Sequence, residues 1–268
     1  EMYNISGLTS FIDLAKEKNL NAYPIHLKID TGMHRLGFEE EDISELISLL
    51  QHNNFVKVTS IFSHLATSDD LDFKDFTLQQ IHLFESISNQ IATTLNIQPI
   101  RHILNTSGIF NFSKYQYEMV RLGIGIYGVG NSEEEQSSLE NVSTLKSIIS
   151  QIRTVEANDS IGYSRKFMVK KEMRIATIPI GYADGIRRAW GNEKGFVLIN
   201  NQKATILGNV CMDMMMVDVT DINCNERDEV IIFGENPHVT EIAAVCNTIP
   251  YEILTSISQR VKRIFYKN

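Results

Sequence analysis

Residues 23–37 read Tyr-Pro-Ile-His-Leu-Lys-Ile-Asp-Thr-Gly-Met-His-Arg-Leu-Gly, and this stretch decides the fold class. Its first eight residues, 23–30, have the composition of a strand. Thr31-Gly32 then breaks the strand and Arg35 follows in the loop. Residues 40–50 carry Ile43, Leu46, Ile47 and Leu50 at helical spacing. The same alternation repeats downstream. Residues 56–63 (VKVTSIFS) read as a strand. Residues 73–95 read as a helix with Ile81, Phe84, Ile87 and Ile91 on one face. Residues 100–104 and 122–127 read as two further short strands. Strand, helix, strand, helix implies parallel strands joined by helical crossovers.

Residues 131–141 (NSEEEQSSLEN) are acidic and polar, with Leu139 the one large apolar group. The domain boundary is expected there, giving an α/β unit over 1–138 and a second domain over 139–268. The pattern beyond it is mainly β. Short strands are expected over 145–155, 172–179, 195–199, 203–207, 214–219 and 229–233, with helices near 240–247 and 251–256. A complete (β/α)₈ barrel takes about 250 residues, roughly 30 per unit. Residues 1–130 suffice for about the last five βα units. An open sheet of that size exposes an edge that proteins normally cover. The expectation is therefore a partial barrel whose first three units lie upstream of Glu1, followed by a β-domain.

Composition narrows the function. Of the 268 residues, 43% are hydrophobic and 22% charged, which suits ordinary globular domains. The net charge of -8 and the absence of a basic stripe exclude a nucleic-acid binder. Cys211, Cys224 and Cys246 are odd in number and form no C-x-x-C pair. That argues against a disulfide framework or a structural zinc, so no metal is expected and the compartment is read as cytoplasmic. No apolar run reaches the roughly 18 residues of a membrane span.

Several segments carry chemistry. Lys28 and Arg35 stand at a strand's C-terminal end, where barrels build their active face. An arginine there grips a carboxylate with two parallel hydrogen bonds; by position alone both are also ordinary surface residues. His64, in Ser-His-Leu-Ala-Thr-Ser, again ends a strand, and a lone histidine is as readily structural. Asn105-Thr106-Ser107-Gly108 offers three short hydrogen-bonding side chains, a phosphate cradle or a helix cap. Arg121-Leu-Gly123-Ile124-Gly125 places glycines beside an arginine late in the barrel, as phosphate sites do. It is no G-x-G-x-x-G fingerprint. In the second half, Gly162-Tyr163-Ser164-Arg165, Gly181-Tyr182-Ala183-Asp184-Gly185 and Asn209-Val210-Cys211-Met212-Asp213 present tyrosines, an apolar residue and an acid after turns or strands.

Taken together and in order, these segments resemble the motifs of alanine racemases: HLKIDTGMHRLG, SHLATSD, H-x-x-NTS, VRLGIGIYG, IGYSR, IPIGYADG, GNVCMD and PYEIL. The resemblance runs from about Tyr23 to the C-terminus, and GYADG and DTGMxRLG are its most specific parts. It implies a pyridoxal-phosphate (PLP) barrel followed by a β-domain, in a homodimer whose active sites join one subunit's barrel to the other's β-domain. It also implies racemisation of alanine for peptidoglycan synthesis by two bases on opposite faces of the substrate. Tyr163 matches the tyrosine base and His64 the histidine beside it. Arg121 matches the arginine facing the pyridine nitrogen, which keeps that nitrogen unprotonated because an arginine does not give up its proton. Arg35 matches the substrate-carboxylate arginine. Lys28 matches a lysine often carbamylated in the family. Asn105, Thr106, Ser107, Gly123 and Ile124 fall at phosphate-binding positions, and Met212, Asp213 and Tyr182 at the substrate pocket and its entrance.

Two departures matter. The family's cofactor lysine lies in a K-A-D/N-A-Y-G-H-G-like motif, and no such motif occurs in the 268 residues. That lysine is also the second base, so the chain alone is expected to be inactive. In addition, Gln259 stands where the family commonly has the phosphate-contacting tyrosine of I-S-Y-R-V-P. The variant M-H-R-L-G resembles racemase domains fused behind a peptidoglycan-precursor ligase. Two alternatives remain open here: a barrel-type PLP decarboxylase, against which GYADG and VCMD argue, and a non-catalytic dimerisation or cofactor-binding module.

Overall fold

The computed structural model describes residues 1–266. Two compact units emerge. The first comprises Glu1–Ile126 with Gly130–Leu139; the second comprises Tyr127–Val129 with the chain from Glu140 onward.

The first unit alternates as its periodicity requires: α1 (Ile5–Glu17), β1 (Tyr23–Lys28), α2 (Ile43–Gln51), β2 (Val56–Phe62), α3 (Lys74–Leu95), β3 (Ile100–His102), α4 (Thr106–Asn111) and α5 (Glu133–Ser137). The strands form a parallel sheet in the order β1-β2-β3. Met2 adds a parallel bridge to Leu27 on the outer side of β1. One face of the sheet is apolar. Leu27 and Ile61 lie opposite each other in the register and are fully buried. They belong to one core with Leu8 of α1, Leu46 of α2 and Ile81, Phe84 and Ile91 of α3. The other face is polar, because strand residues two apart share a side. It carries His26 and Lys28 from β1, Ser60 and Phe62 from β2, and His102 from β3.

Residues 122–127 are not the strand expected of them. Residues 124–127 form a 3₁₀ turn. The reason is local: the Thr106 hydroxyl accepts the backbone N–H groups of Gly123 (3.0 Å) and Gly125 (3.2 Å), which a β-ladder would have needed. The sheet therefore holds three named strands and the Met2 bridge among the described residues, rather than five βα units. Within the acidic stretch, α5 is capped by the Ser132 hydroxyl, which accepts from Glu135 N.

The second unit is β-rich. Its strands are β4 (Leu145–Ile148), β5 (Gln151–Val155), β6 (Ser160–Ile161), β7 (Phe167–Met168), β8 (Met173–Ile178), β9 (Phe196–Ile199), β10 (Gln202–Leu207), β11 (Met215–Asp218) and β12 (Glu229–Phe233), followed by α6 (Val239–Val245) and α7 (Pro250–Ser256). Seven of them form one sheet, ordered β4-β12-β9-β10-β11-β8-β5. Residues 145–155, expected as one strand, break at Ile149-Ser150. There the chain leaves β12 for β8: Ile149 N donates to Asp228 O and Ser150 N to Thr177 O. The two edge strands of the sheet, β4 and β5, are thus consecutive segments of chain. Val197, Ile199, Ile206, Met215, Val217 and Val230 are fully buried. β6 and β7 make a separate two-stranded hairpin.

Candidate functional site

In the first unit the expected residues gather at the C-terminal ends of the parallel strands. Lys28 ends β1 with its side chain nearly buried. Its Nζ lies 3.2 Å from Glu1 Oε1 and 5.7 Å from the Phe62 ring centre. Beyond β1 the chain folds into a tight loop held by Asp30, whose Oδ1 accepts from the N–H groups of Gly32, Met33 and His34 at 2.8–3.1 Å. Phe38 then bridges back to Ile29. This loop presents Arg35 to solvent, and Lys28, Met33, Arg35, Ser63 and His64 line one small cleft.

Arg121 is the best-anchored cation of the group. Its Nη2 donates to Ser63 O (2.6 Å) and Ile103 O (3.3 Å). Its Nη1 donates to His102 O (3.1 Å) and to His102 Nδ1 (2.5 Å). The guanidinium lies 5.2 Å from the Phe62 ring centre, and Phe62 stacks on His102 with centroids 4.9 Å apart. Burial pulls the Arg121 pKa down to about 10, so it remains a cation at neutral pH.

His102 was not among the candidates, and the structure makes it central. Since Nδ1 accepts from Arg121, its proton sits on Nε2, which donates to Ser60 Oγ (3.2 Å). The Ser60 hydroxyl in turn lies 2.6 Å from His26 Nδ1. The available signal was the two-residue alternation of His26, Ser60, Phe62 and His102 on one sheet face. Burial and the Arg121 charge push the His102 pKa down to about 4. His64 is also lowered to about 4, by burial and then by Arg121, Arg35 and Lys28. Three cations therefore act on one point, leaving a positive potential suited to an anionic ligand.

Asn105, Thr106, Ser107, Gly123 and Ile124 also come together. Asn105 caps α4, its Oδ1 accepting from Gly108 N (2.9 Å) and from Ser68 Oγ (2.7 Å). Thr106 and Ser107 are buried, and Ser107 Oγ accepts from Asn131 Nδ2 (2.7 Å). Ile124 is buried, whereas Gly123 is exposed.

In the second unit, Tyr163, Met212 and Asp213 line one open cavity of about 520 Å³, with Gly162, Cys211, Met214 and Met216. Tyr163 is 66% exposed. It follows Gly162 at φ 77° and precedes Ser164 and Arg165, both also at positive φ, so the turn swings its ring outward. Asn209 Nδ2 donates to Tyr163 O at 3.1 Å. Tyr182 is exposed, and its N–H donates to Cys211 O (3.0 Å) while Ala183 N donates to Met212 O (2.9 Å). This seam is why position 181 is glycine: a Cβ there would stand 2.3 Å from Cys211 O.

Arg260 was also missed. Its Nε donates to Asp184 Oδ1 (2.6 Å) and its Nη2 to Asp213 Oδ1, which ties the two loops. These bonds, that to Asp184 foremost, raise the Arg260 pKa. Gln259 beside it is exposed.

The comparisons with known proteins now decide the family. The alanine racemase N-terminal domain model matches residues 5–131 and the C-terminal domain model residues 142–265. The chain belongs to the alanine racemase family. Family members are isomerases. The Fusobacterium nucleatum alanine racemase is 40% identical over 254 residues, covering 92% of this chain and 68% of that protein. The solved alanine racemase of Clostridium difficile superposes with a TM-score of 0.89 at 34% identity, over 97% of this chain and 68% of that one. A Bartonella henselae alanine racemase, solved with covalently bound pyridoxal phosphate, gives 0.84 at 31% identity, over 97% and 71%. The racemase fold is thus a barrel domain followed by a mainly β domain. The decarboxylase and non-catalytic alternatives are not favoured. Among the described residues no helix is long and apolar enough to cross a membrane.

Proposed function

We propose that this chain supplies the substrate clamp, the phosphate and ring-nitrogen contacts and one base of a PLP-dependent alanine racemase that provides D-alanine for peptidoglycan in the cytoplasm. In this reading the three parallel strands are part of a PLP-binding barrel, residues 139–268 form the β-domain, and two copies pair so that each β-domain serves the partner's barrel. The observation that carries it is the cleft that Lys28, Arg35, Ser63 and His64 line at the strand ends, with the Arg121 guanidinium donating to Ser63 O beside it.

The donor set fits PLP. Arg121 is a donor-only group whose remaining partners are three carbonyl oxygens and an unprotonated imidazole nitrogen. It suits an acceptor ring nitrogen and does not protonate it. Thr106, Ser107, Gly123, Ile124 and the α4 cap at Asn105 are the phosphate side, and Gln259 takes a tyrosine's place there with a shorter reach. When bound, the cofactor supplies a sink for the charge left at Cα once the α-proton departs.

The chain's own groups do the rest. Arg35 holds the substrate carboxylate. Tyr163 exchanges the α-proton from one face of the substrate, reaching the site from the partner subunit. His64, kept neutral at pH 7, offers it a hydrogen-bond partner rather than a competing cation. Met212, Asp213 and Tyr182 border the pocket. Lys28 as seen pairs its amine with Glu1; the mass of the peptide containing it distinguishes amine from carbamate. No residue here stands in the family's cofactor-lysine motif, so the 268-residue chain alone is inactive.

The test uses isotope exchange at the alanine Cα, in a protein that carries the lysine motif with these residues. Tyr163→Phe should abolish proton transfer in one direction more than in the other. Undiminished exchange both ways removes Tyr163 from this role, and racemisation by the 268-residue chain alone overturns its inactivity.

A further inference from the structure

The turn that carries Tyr163 rests on residues 208–210, and those rest on a loop at 191–193. Two glycines let these layers meet backbone to backbone. A Cβ on Gly208, at φ 60°, would stand 2.8 Å from Ile161 O, and one on Gly191 would stand 2.6 Å from Gly208 O. Asn192 clips the middle layer twice. Its N–H donates to Gly208 O at 2.7 Å, and its Nδ2 donates to Asn209 Oδ1 at 3.1 Å. Asn209 is buried, and its Nδ2 donates to Tyr163 O at 3.1 Å. The direction of this chain is forced. A carbonyl oxygen only accepts, so Asn209 turns its amino group to Tyr163 and its oxygen to Asn192. That oxygen then needs a donor, and the Asn192 amide supplies it. Asn192 has φ 57°, a left-handed backbone that asparagine adopts more readily than most residues.

We propose that Asn192 is a positioning residue for Tyr163, acting through Asn209. Neither asparagine lines the cavity that Tyr163 borders, so both act on the turn rather than on a ligand. The turn needs such a hold. Gly162, Ser164 and Arg165 all have positive φ, and the Tyr163 ring is 66% exposed, so packing alone does not fix the phenol. The Asn209 amide fixes the backbone from which the ring projects, and Asn192 keeps that amide in the orientation that donates. A reacting group displaced by about 1 Å can lose up to about 100-fold in the step it serves. The inference rests on Tyr163 being the base proposed above.

Two readouts test it. Tyr163-Ser164 is the only Tyr-Ser pair in the sequence. The chain labelled at tyrosine carbonyls and serine nitrogens therefore gives a single NMR peak for that peptide bond, and its carbonyl shift reports the hydrogen bond at Tyr163 O. Asn209→Ala should displace this peak. Asn192→Gly keeps the left-handed backbone and the N–H bond to Gly208, and should displace the peak in the same direction. Asn96→Gly, the same exchange at a left-handed position of the first unit, should leave it in place. In the lysine-bearing protein, Asn192→Gly should slow solvent-isotope exchange into one enantiomer of alanine about tenfold more than into the other. KM for alanine should hold, since Arg35 grips the carboxylate, and the variant should add nothing to Tyr163→Phe. An unmoved peak in Asn192→Gly overturns the proposal. Equal slowing into both enantiomers, or a further loss in the Tyr163→Phe background, overturns it as well. A displaced peak with undiminished exchange in Tyr163→Phe shows instead that the base assignment has failed, and positioning for that base fails with it.

Discussion

His102 shows how one side chain can fix the state of several others. Its Nδ1 must stay unprotonated to accept from Arg121, and its Nε2–H serves Ser60. Protonating the ring would set a second cation against the Arg121 guanidinium. The folded pKa of about 4 lies below the ordinary 6.5, for His64 as for His102. The unfolded chain therefore takes up these protons first. Stability is fully present above pH 6.5 and falls as pH drops from 6.5 towards 4. After allowance for solvent screening, the loss is on the order of 1 kcal/mol per histidine. Urea midpoints across this window should decline, and His102→Gln should flatten the slope; an unchanged slope in that variant would show that His102 is not the titrating group. Thr106 permits a second prediction. Its hydroxyl is the acceptor for two glycine N–H groups, of which the Gly125 amide is buried. Thr106→Val keeps the shape and orphans both, which costs roughly 1–3 kcal/mol for a buried donor left unpaired. Equal midpoints for variant and wild type would refute that account of the turn.

At the scale of elements, the loop over residues 30–38 depends on one glycine. Gly37 has φ 145°, and a Cβ there would stand 2.3 Å from Asp30 N. Gly37→Ala meets both backbone strain and a clash with rigid atoms, so it should cost at least roughly 2 kcal/mol. Thermal melts check this, and a Tm within a degree of wild type would sink it. The strands and long helices on either side were legible because their apolar residues repeat every two or 3.6 positions. β1, β2, α2 and α3 lie within a few residues of where the spacing put them. Residues 122–127 failed because their conformation is set by Thr106, some seventeen positions away, which no local pattern encodes. The hairpin of β6 and β7 has two residues per strand, too few to show a period. In the candidate site, Lys28, Arg35, His64 and Arg121 were legible as motif residues at strand ends. His102 and Arg260 were not. A histidine within a short strand reads as core until the register shows its neighbours across the sheet. Arg260 acquires meaning only when folding brings Asp184 and Asp213 to it from 76 and 47 positions away.

At the scale of the whole molecule, the second unit has what a self-sufficient fold requires. One continuous chain segment supplies both edge strands of its seven-stranded sheet, and Val197, Ile199, Ile206, Met215, Val217 and Val230 are fully buried within it. Tyr127–Val129 belong to it, since a Cβ on Gly128 would overlap Glu140 O. The protein's single tryptophan, Trp190, lies in this unit at 2% exposure. Its ring packs on Gly195 so closely that a Cβ there would stand 2.2 Å from it. Residues 127–268 expressed alone should therefore fold. Trp190 emission should be blue-shifted relative to the urea-unfolded chain, and it should move to the red in one cooperative urea transition. Gly195→Ala in the same segment should displace the indole and lower the midpoint, by roughly 1–3 kcal/mol as overpacking does. A segment whose Trp190 emits to the red without denaturant would show that the seven-stranded sheet does not stand by itself.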